Sequence, residues 1–414
     1  MSLAAGPDAL REILVVDLTR VLSGPFATQQ LVDLGADVVK VERPGSGDDT
    51  RAFGPPFLEG ESTYFMSVNR GKRSVALDLK SERGQALAIG LAEQADVVIE
   101  NFRAGVAERL GLDGARLRAK NTRLVTCSLT GYGGLGDPAY VQRGGYDAVI
   151  QATSGLMALT GEPDGAPTKV GVALSDMVAG LYAAQGILTA LYARERTGEG
   201  AHIDVSMQDA VLSLLSYQAG SYLGTGREPA RMGNAHPSIC PYETVETADG
   251  PFALAVGNDA QFARFVELIG RPELAEDPRF RTNRDRVAHH DALMALLGPA
   301  LRTRSGAELD RLLAEARIPA GPVLSVGAAL EHPQVRARGS LLEHAHPVAG
   351  PVRSVGSPVR FVEDGALAPP PSRALEAPPV LGQHTREVLR EKLGLADEEL
   401  DALEAAKVIA GPER

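Results

Sequence analysis

The segment 13–42, ILVVDLTRVLSGPFATQQLVDLGADVVKVE, decides the fold class. Its first six residues, Ile13-Leu-Val-Val-Asp-Leu18, are almost all apolar, the pattern of a strand covered on both faces. In 24–34, Phe26, Leu31 and Leu34 fall on one helical face, and Asp37-Val-Val-Lys-Val-Glu42 is a second strand. Strand, helix and strand in that order read as a β-α-β unit with parallel strands. The pattern continues outward. Residues 74–79, 97–99 and 124–129 read as further strands, and 81–94 has helical period. The expected architecture is α/β, a parallel sheet with helices on both faces.

Beyond it, 131–170 is rich in Gly and Pro and reads as loop. A long helix near 177–196, a strand at 202–205 and a helix at 207–222 follow. From about 228 the character changes to charge-rich helices, at 259–269, 284–302 and 306–317, around a strand at 252–256. The composition shift places domain limits at 1–227, 228–330 and 331–414. The Pro-rich stretch 368–379 reads as a surface tether.

The chain has 414 residues, 44% hydrophobic and 23% charged, within the globular range and long enough for a sizeable core. Its net charge of −11 argues against nucleic-acid or anionic-membrane partners, which require a basic surface. Tryptophan is absent and aromatics are 5%, so stacking platforms for bases are not expected. Cys127 and Cys240 make no disulfide framework, and a cytoplasmic location is expected. The N-terminal residues lack the uninterrupted apolar core of a signal peptide. The apolar stretch 177–193 is short and interrupted by Gly180, Gln185 and Gly186, so it reads as a buried core helix.

Gly131-Tyr-Gly-Gly-Leu-Gly136 matches G-x-G-x-x-G, but Asp137-Pro138 follows where a helix should open, so it reads as a turn-rich loop. His289-His290 and His344/His346 have no metal-ligand frame around them, and no metal site is expected. Asp176 precedes an apolar helix. Two readings stay open: a helix N-cap, or a rigidly held carboxylate able to act as a covalent nucleophile. Arg43, Arg51, Arg70, Lys72, Arg73, Lys80, Arg103 and Arg109 gather near strand ends. In an acidic chain that cluster points to an anionic small ligand, and open α/β sheets bind ligands at their strand C-termini.

Several segments together resemble one family. They are Val15-Val-Asp-Leu-Thr-Arg-Val-Leu-Ser-Gly-Pro25, Leu34-Gly-Ala-Asp-Val-Val-Lys-Val-Glu-Arg-Pro-Gly-Ser-Gly-Asp48, Asn69-Arg-Gly-Lys-Arg-Ser74, Glu100-Asn-Phe-Arg103, Gly144-Gly-Tyr-Asp147, Ser175-Asp176 and Pro378-Pro-Val-Leu-Gly-Gln-His-Thr385. In this order they resemble the family III CoA-transferases, the group of formyl-CoA transferase, carnitine CoA-transferase and α-methylacyl-CoA racemase. The resemblance implies a Rossmann-like large domain built from both ends of the chain, with the smaller domain inserted, in an interlocked homodimer. It implies coenzyme A as substrate and no permanently bound cofactor. Asp176 would attack an acyl-CoA, pass through a mixed anhydride and form an aspartyl-CoA thioester, which an incoming acid resolves. Matching positions assign CoA contacts to Val21, Leu22, Ser23, Arg43, Leu77, Lys80, Asn101, Phe102, Arg103, Arg109, Tyr146 and Asp147.

Departures from the family patterns narrow the subclass. Racemase members carry His where this chain has Tyr146, whose ordinary pKa of about 10 suits α-proton exchange poorly. Formyl-CoA:oxalate transferases carry Gln at Leu22, Trp near Phe53 and a glycine run at Val256-Gly-Asn-Asp259, all missing here. Met232-Gly-Asn-Ala-His-Pro-Ser-Ile-Cys-Pro-Tyr242 and the substrate-loop pair Gly257-Asn258 look more like succinyl-CoA-dependent members that act on glutarate or 3-hydroxymethylglutarate. Arg51 or Arg73 would then hold the acceptor's distal carboxylate. A racemase and a CoA-binding protein without turnover are the competing readings.

Overall fold

In the computed structural model, which describes residue 6 and residues 8–412, the segment 13–42 folds as a strand-helix-strand unit. β1 (Leu14–Asp17), α1 (Ser23–Val32) and β2 (Asp37–Glu42) form it, with Val16 beside Val39 in parallel register. The chain continues through β3 (Arg73–Leu77), α2 (Glu82–Gln94), β4 (Val97–Glu100), β5 (Val125–Thr130), α3 (Asp147–Thr153), α4 (Leu174–Thr197), β6 (His202–Ser206) and α5 (Met207–Leu214). The sheet order is β3-β2-β1-β4-β5-β6, all parallel, and the short strand Ile409–Ala410 joins antiparallel beyond β3. The order reverses between β1 and β4, which opens a crevice at their C-terminal ends.

Consecutive residues of a strand face opposite ways, so a doubly covered strand must be apolar throughout. Val16, Val39 and Val75 pack with Leu87 and Leu91 of α2 and with Val388 and Leu389 from the helix Thr385–Leu393. Val15, Val38 and Val97 pack with Leu31 of α1 and Ala183 and Ile187 of α4. Among the described residues α4 is the one helix long and apolar enough to cross a membrane, at a mean hydropathy of 1.2. Here it lies against α1 and β5 as a core helix. Residues near the C-terminus also fix β3. The Ser74 amide donates to His384 Nδ1 (3.2 Å), and Thr385 Oγ1 accepts from Ala76 (3.0 Å).

The chain divides into two compact units, Met1–Leu156 with Val170–Gly220 and Pro333–Arg414, and Met157–Lys169 with Ser221–His332. The second unit begins a few residues before 228 and also takes in 157–169, which the sequence reading left with the N-terminal part. That strap belongs there because the Arg231 guanidinium donates to the carbonyls of Ala158 (3.3 Å) and Gly165 (2.8 Å). Its antiparallel sheet, Tyr242–Glu246, Pro251–Ala255 and Ala320–Pro322, covers a core of Phe252, Phe262, Phe265 and Phe280.

Candidate active site

The crevice between β1 and β4 is bridged by one side chain. Asn101 accepts from the Arg20 amide (2.9 Å) and donates to its carbonyl (2.8 Å), tying together the turns that leave the two strands. A cavity of about 120 Å³ opens there, lined by Arg20, Val21, Ser23, Asn101, Phe102, Arg103, Tyr146 and Asp176. All belong to the first unit. Arg20 and Phe102 also line a neighbouring cleft of about 410 Å³, whose walls carry Arg43, Leu77, Lys80 and Arg109. The two spaces therefore adjoin at Arg20 and Phe102, the first holding the Asp176 carboxylate and the second carrying Arg43, Lys80 and Arg109.

Asp176 is not an N-cap. α4 begins at Leu174 after Ala173, so Asp176 stands in the first helical turn with its carboxylate toward the cavity. Burial and the nearby Asp147 carboxylate push its pKa up to about 6, while the Ser23 hydroxyl and backbone N–H face it and hold it down. At neutral pH it is still mostly ionised, and it is a better nucleophile than an ordinary carboxylate because it is more basic. Asp147 supports this geometry from α3. It accepts from the Ser175 amide (2.9 Å), the Ser175 hydroxyl (2.7 Å) and Gln151 Nε2 (2.8 Å), which fixes the start of α4.

The remaining site positions sort as follows. Val21, Ser23, Asn101, Phe102, Arg103 and Tyr146 share the Asp176 cavity, and Arg43, Leu77, Lys80 and Arg109 share the cleft. Leu22 is turned into the core, only 7% exposed. Gly257 and Asn258 lie in the second unit, where Asn258 caps the helix Asp259–Leu268 and the Gly257 amide donates to Gln261 Oε1 (2.8 Å).

The assignment of Arg51 or Arg73 to a substrate carboxylate is corrected. Arg51 makes two bonds to Glu42 (2.7 and 2.8 Å) and stacks over Phe65. Arg73 opens β3 at the N-terminal edge of the sheet, opposite the strand C-termini, and is paired with Asp37 and Glu391. Arg70 and Lys72 are likewise buried, against Asp33 and Asp17. Half of the basic cluster is thus internal structure.

Two features of the site escaped the sequence reading. Tyr64, on the short helix Thr63–Met66, has its phenol pKa raised by burial and by the charges of the Asp176, Asp147 and Asp48 carboxylates, so it shares the electrostatic field of the site. Gly131 opens the glycine-rich loop and also lines the cavity, its backbone so close to Gly145 that a β-carbon would meet the Gly145 α-carbon at 2.5 Å. The close approach of two chain segments, and not a dinucleotide, accounts for these two glycines.

The profile of CoA-transferase family III matches residues 10–385. The chain is 46% identical over 350 residues to the acetyl-CoA:oxalate CoA-transferase of Acetobacter aceti, covering 84% of this chain and 88% of that one. It is 43% identical over 388 residues to the succinate–glutarate CoA-transferase of Agrobacterium fabrum, covering 92% and 95%. A crystal structure of a CAIB/BAIF family protein from Brucella suis aligns with a TM-score of 0.81 at 44% identity, over 92% of this chain and 98% of that one. With a carboxylate-bearing cavity joined to a basic cleft, this chain belongs to the family III CoA-transferases and is an enzyme of the transferase class.

Proposed function

We propose that the protein moves CoA from an acyl-CoA, succinyl-CoA in the leading reading, to a dicarboxylic acid such as glutarate or 3-hydroxymethylglutarate. The reaction passes through an aspartyl-CoA thioester on Asp176. The observation that carries the mechanism is the Asp176 carboxylate, raised to about 6, in a cavity that shares its Arg20 and Phe102 walls with the cleft of Arg43, Lys80 and Arg109. A carboxylate oxygen attacks the thioester carbon and the CoA thiolate leaves, giving a mixed anhydride. The thiolate then attacks the Asp176 carbonyl of that anhydride and releases the donor acid. The acceptor carboxylate attacks the resulting aspartyl thioester, and the thiolate returns to the acceptor's acyl carbon, freeing Asp176. Every step exchanges one acyl bond for another, so positioning and exclusion of water carry the catalysis.

The likeness to the Agrobacterium fabrum enzyme supports the glutarate reading. The greater identity to an acetyl-CoA:oxalate enzyme supports oxalate as acceptor, with acetyl-CoA as donor. Against oxalate stands Leu22, where the formyl-CoA:oxalate members carry a hydrogen-bonding Gln. We also propose a homodimer. Leu181, Tyr182 and Tyr192 of α4 and Leu212 and Leu214 of α5 are exposed in the single chain, which supports a covering partner; the interlocked form rests on the family resemblance.

Mass spectrometry of CoA esters tests the reading. Succinyl-CoA or acetyl-CoA is mixed with glutarate, 3-hydroxymethylglutarate or oxalate, with Asp176→Ala alongside. Glutaryl-CoA or hydroxymethylglutaryl-CoA formed by the wild type and absent with Asp176→Ala is the expected result, whereas oxalyl-CoA alone would move the assignment to oxalate. Deuterium entering the α-carbon of a 2-methylacyl-CoA, with no exchange of CoA, would replace it with a racemase.

A further inference from the structure

The turn that leaves β1 is strained and held in place by charge. Val21 adopts a left-handed φ of 69°, a conformation that β-branched residues avoid. Three consecutive residues are pinned around it. Lys40 Nζ donates to the Thr19 carbonyl (2.9 Å), Asn101 holds both backbone groups of Arg20, and Asp48 Oδ1 accepts from the Val21 amide (3.2 Å). Asp48 and Lys40 are themselves an ion pair at 2.9 Å, with neither side chain exposed. The same Asp48 oxygen accepts from the Thr50 amide (3.0 Å) and hydroxyl (2.8 Å), and the Asp48 amide donates to Glu42 (3.0 Å). A buried ion pair is poor value as stability, because well-packed apolar residues of similar volume often do as well. Its partners here are backbone groups of the strained turn.

That turn delivers Ser23. Leu22, at the cap position of α1, makes no side-chain cap, and Ser23 is the first helical residue, its hydroxyl and amide facing Asp176. We propose that Lys40 and Asp48 are positioning residues for CoA transfer, holding Val21 in its left-handed conformation so that Ser23 stays against the Asp176 carboxylate. The proposal deepens the proposed function and rests on Asp176 being the attacking group.

The readout that separates positioning from plain stability is the ionisation of Asp176, since Ser23 favours its charged form. Asp147 and Tyr64 also face Asp176, and Arg20, Arg103, Arg143 and Tyr146 line its cavity. Around the pair itself lie Asp17, Glu42 and Lys72. Asp48 is outside the relevant range: burial opposes ionisation, but Lys40 and Thr50 hold its pKa down to about 2. Lys72 is inside it, brought down to about 7 by burial and by Lys40. The titration is therefore read on Asp176 directly.

The experiment follows the side-chain carboxyl carbon of Asp176 by NMR in the full-length protein, assigned by difference against Asp176→Asn. Asp48→Asn, the charge-balanced Lys40→Gln/Asp48→Asn and Ser23→Ala are compared with wild type, with kcat and KM for succinyl-CoA measured in parallel. The charge-balanced variant leaves no lone buried charge and covers the case in which Asp48→Asn does not fold. Expected is an Asp176 pKa raised by about half a pH unit or more, with kcat lowered roughly 10- to 100-fold and KM within about threefold. Adding Ser23→Ala to the Asp48 variant should bring no further loss. An Asp176 titration equal to wild type in a folded variant overturns the proposal, as do losses from Ser23 and Asp48 that multiply. If the wild type transfers CoA to no acid, the proposed function fails, and the NMR titration still decides whether the pair acts on Asp176.

Discussion

Gly180 lies against the carbonyl of Ser23: a β-carbon at 180 would stand 2.7 Å from that oxygen and 3.0 Å from the Phe26 ring. Gly180 is one turn beyond Asp176 on α4, so the contact that admits the helix to the β1–α1 turn also brings the carboxylate to Ser23. Gly180→Ala should push α4 outward. Its expected cost is about 1–3 kcal/mol of stability, the usual range for overpacking, and a roughly 100-fold loss of kcat from the misplaced carboxylate. Urea unfolding beside transfer kinetics checks both, and a variant with native kcat would show that the contact is not needed for the reaction.

Asp176 sets a pH dependence in two observables. Its pKa of about 6 lies above the ordinary carboxylate value of 3.8, because burial and Asp147 disfavour the charge. The nucleophile must be ionised, so kcat/KM should rise with pH through about 6 and level off above it. The stability effect has the opposite sense. The folded state holds the proton more tightly than the unfolded one, so no penalty exists below the unfolded value. The penalty grows as pH rises from 3.8 and is complete above about 6. Asp176→Asn should therefore stabilise the fold by roughly 1–3 kcal/mol at pH 8 after allowance for partial exposure, read as a higher melting temperature there and an unchanged one at pH 3.5.

Asp147 raises the Asp176 pKa through its charge and orders α4 through its oxygens. Asp147→Asn keeps an acceptor for the Ser175 amide and removes the charge. The acid limb of the pH profile should then move below about 6, with kcat at pH 8 changed less than the limb position. Asp147→Ala should instead lose kcat across the whole range, since the start of α4 loses its anchor.

The basic residues divide by burial. Arg51→Ala takes the guanidinium from Glu42, whose side chain is 1% exposed and would keep the Ser74 hydroxyl, the Asp48 amide and the Lys40 charge, and should cost about 3 kcal/mol. Its KM for glutarate should not change. Arg43→Gln, Lys80→Gln and Arg109→Gln should do the reverse, each raising KM for the CoA ester while leaving the urea midpoint near wild type. Added salt should weaken CoA binding in the wild type and less in these variants. Equal effects of the two groups on KM would show that the assignment to cleft and core is wrong.

What the sequence shows clearly here is what a local pattern can carry. β1 and β4 were legible because a doubly covered parallel strand must be apolar along its length, as Val15-Val16 and Val97-Val98 are, whereas the edge strand β6 exposes His202 and Asp204. Asp176 was legible as an acid before an apolar helix, and the ordered family segments gave it a role. The basic cluster was only half legible, because charge in a sequence carries no record of its partner. Arg70 and Asp33 are 37 residues apart, and Arg73 meets Glu391 only through the returning C-terminal helix. Val21 ran against local expectation altogether, since nothing in its neighbours signals a left-handed β-branched residue. Tyr64 was one of nine tyrosines until the fold brought it into the field of the Asp176, Asp147 and Asp48 carboxylates.

The closing of β3 by residues near the C-terminus has a consequence for how the protein is made. The Ser74 hydroxyl receives its bond from the Gly382 amide, 308 residues further along the chain. A ribosome adding about 5–20 residues per second reaches that partner roughly 15–60 s after β3 has been synthesised. Through that interval the edge of β3 is open, able to pair with any other strand that offers itself. The nascent chain should therefore depend on chaperones most heavily while residues 78–382 are being made. Emergence of residues 382–410, and not of the basic cleft, should mark the point at which the large unit becomes resistant to protease.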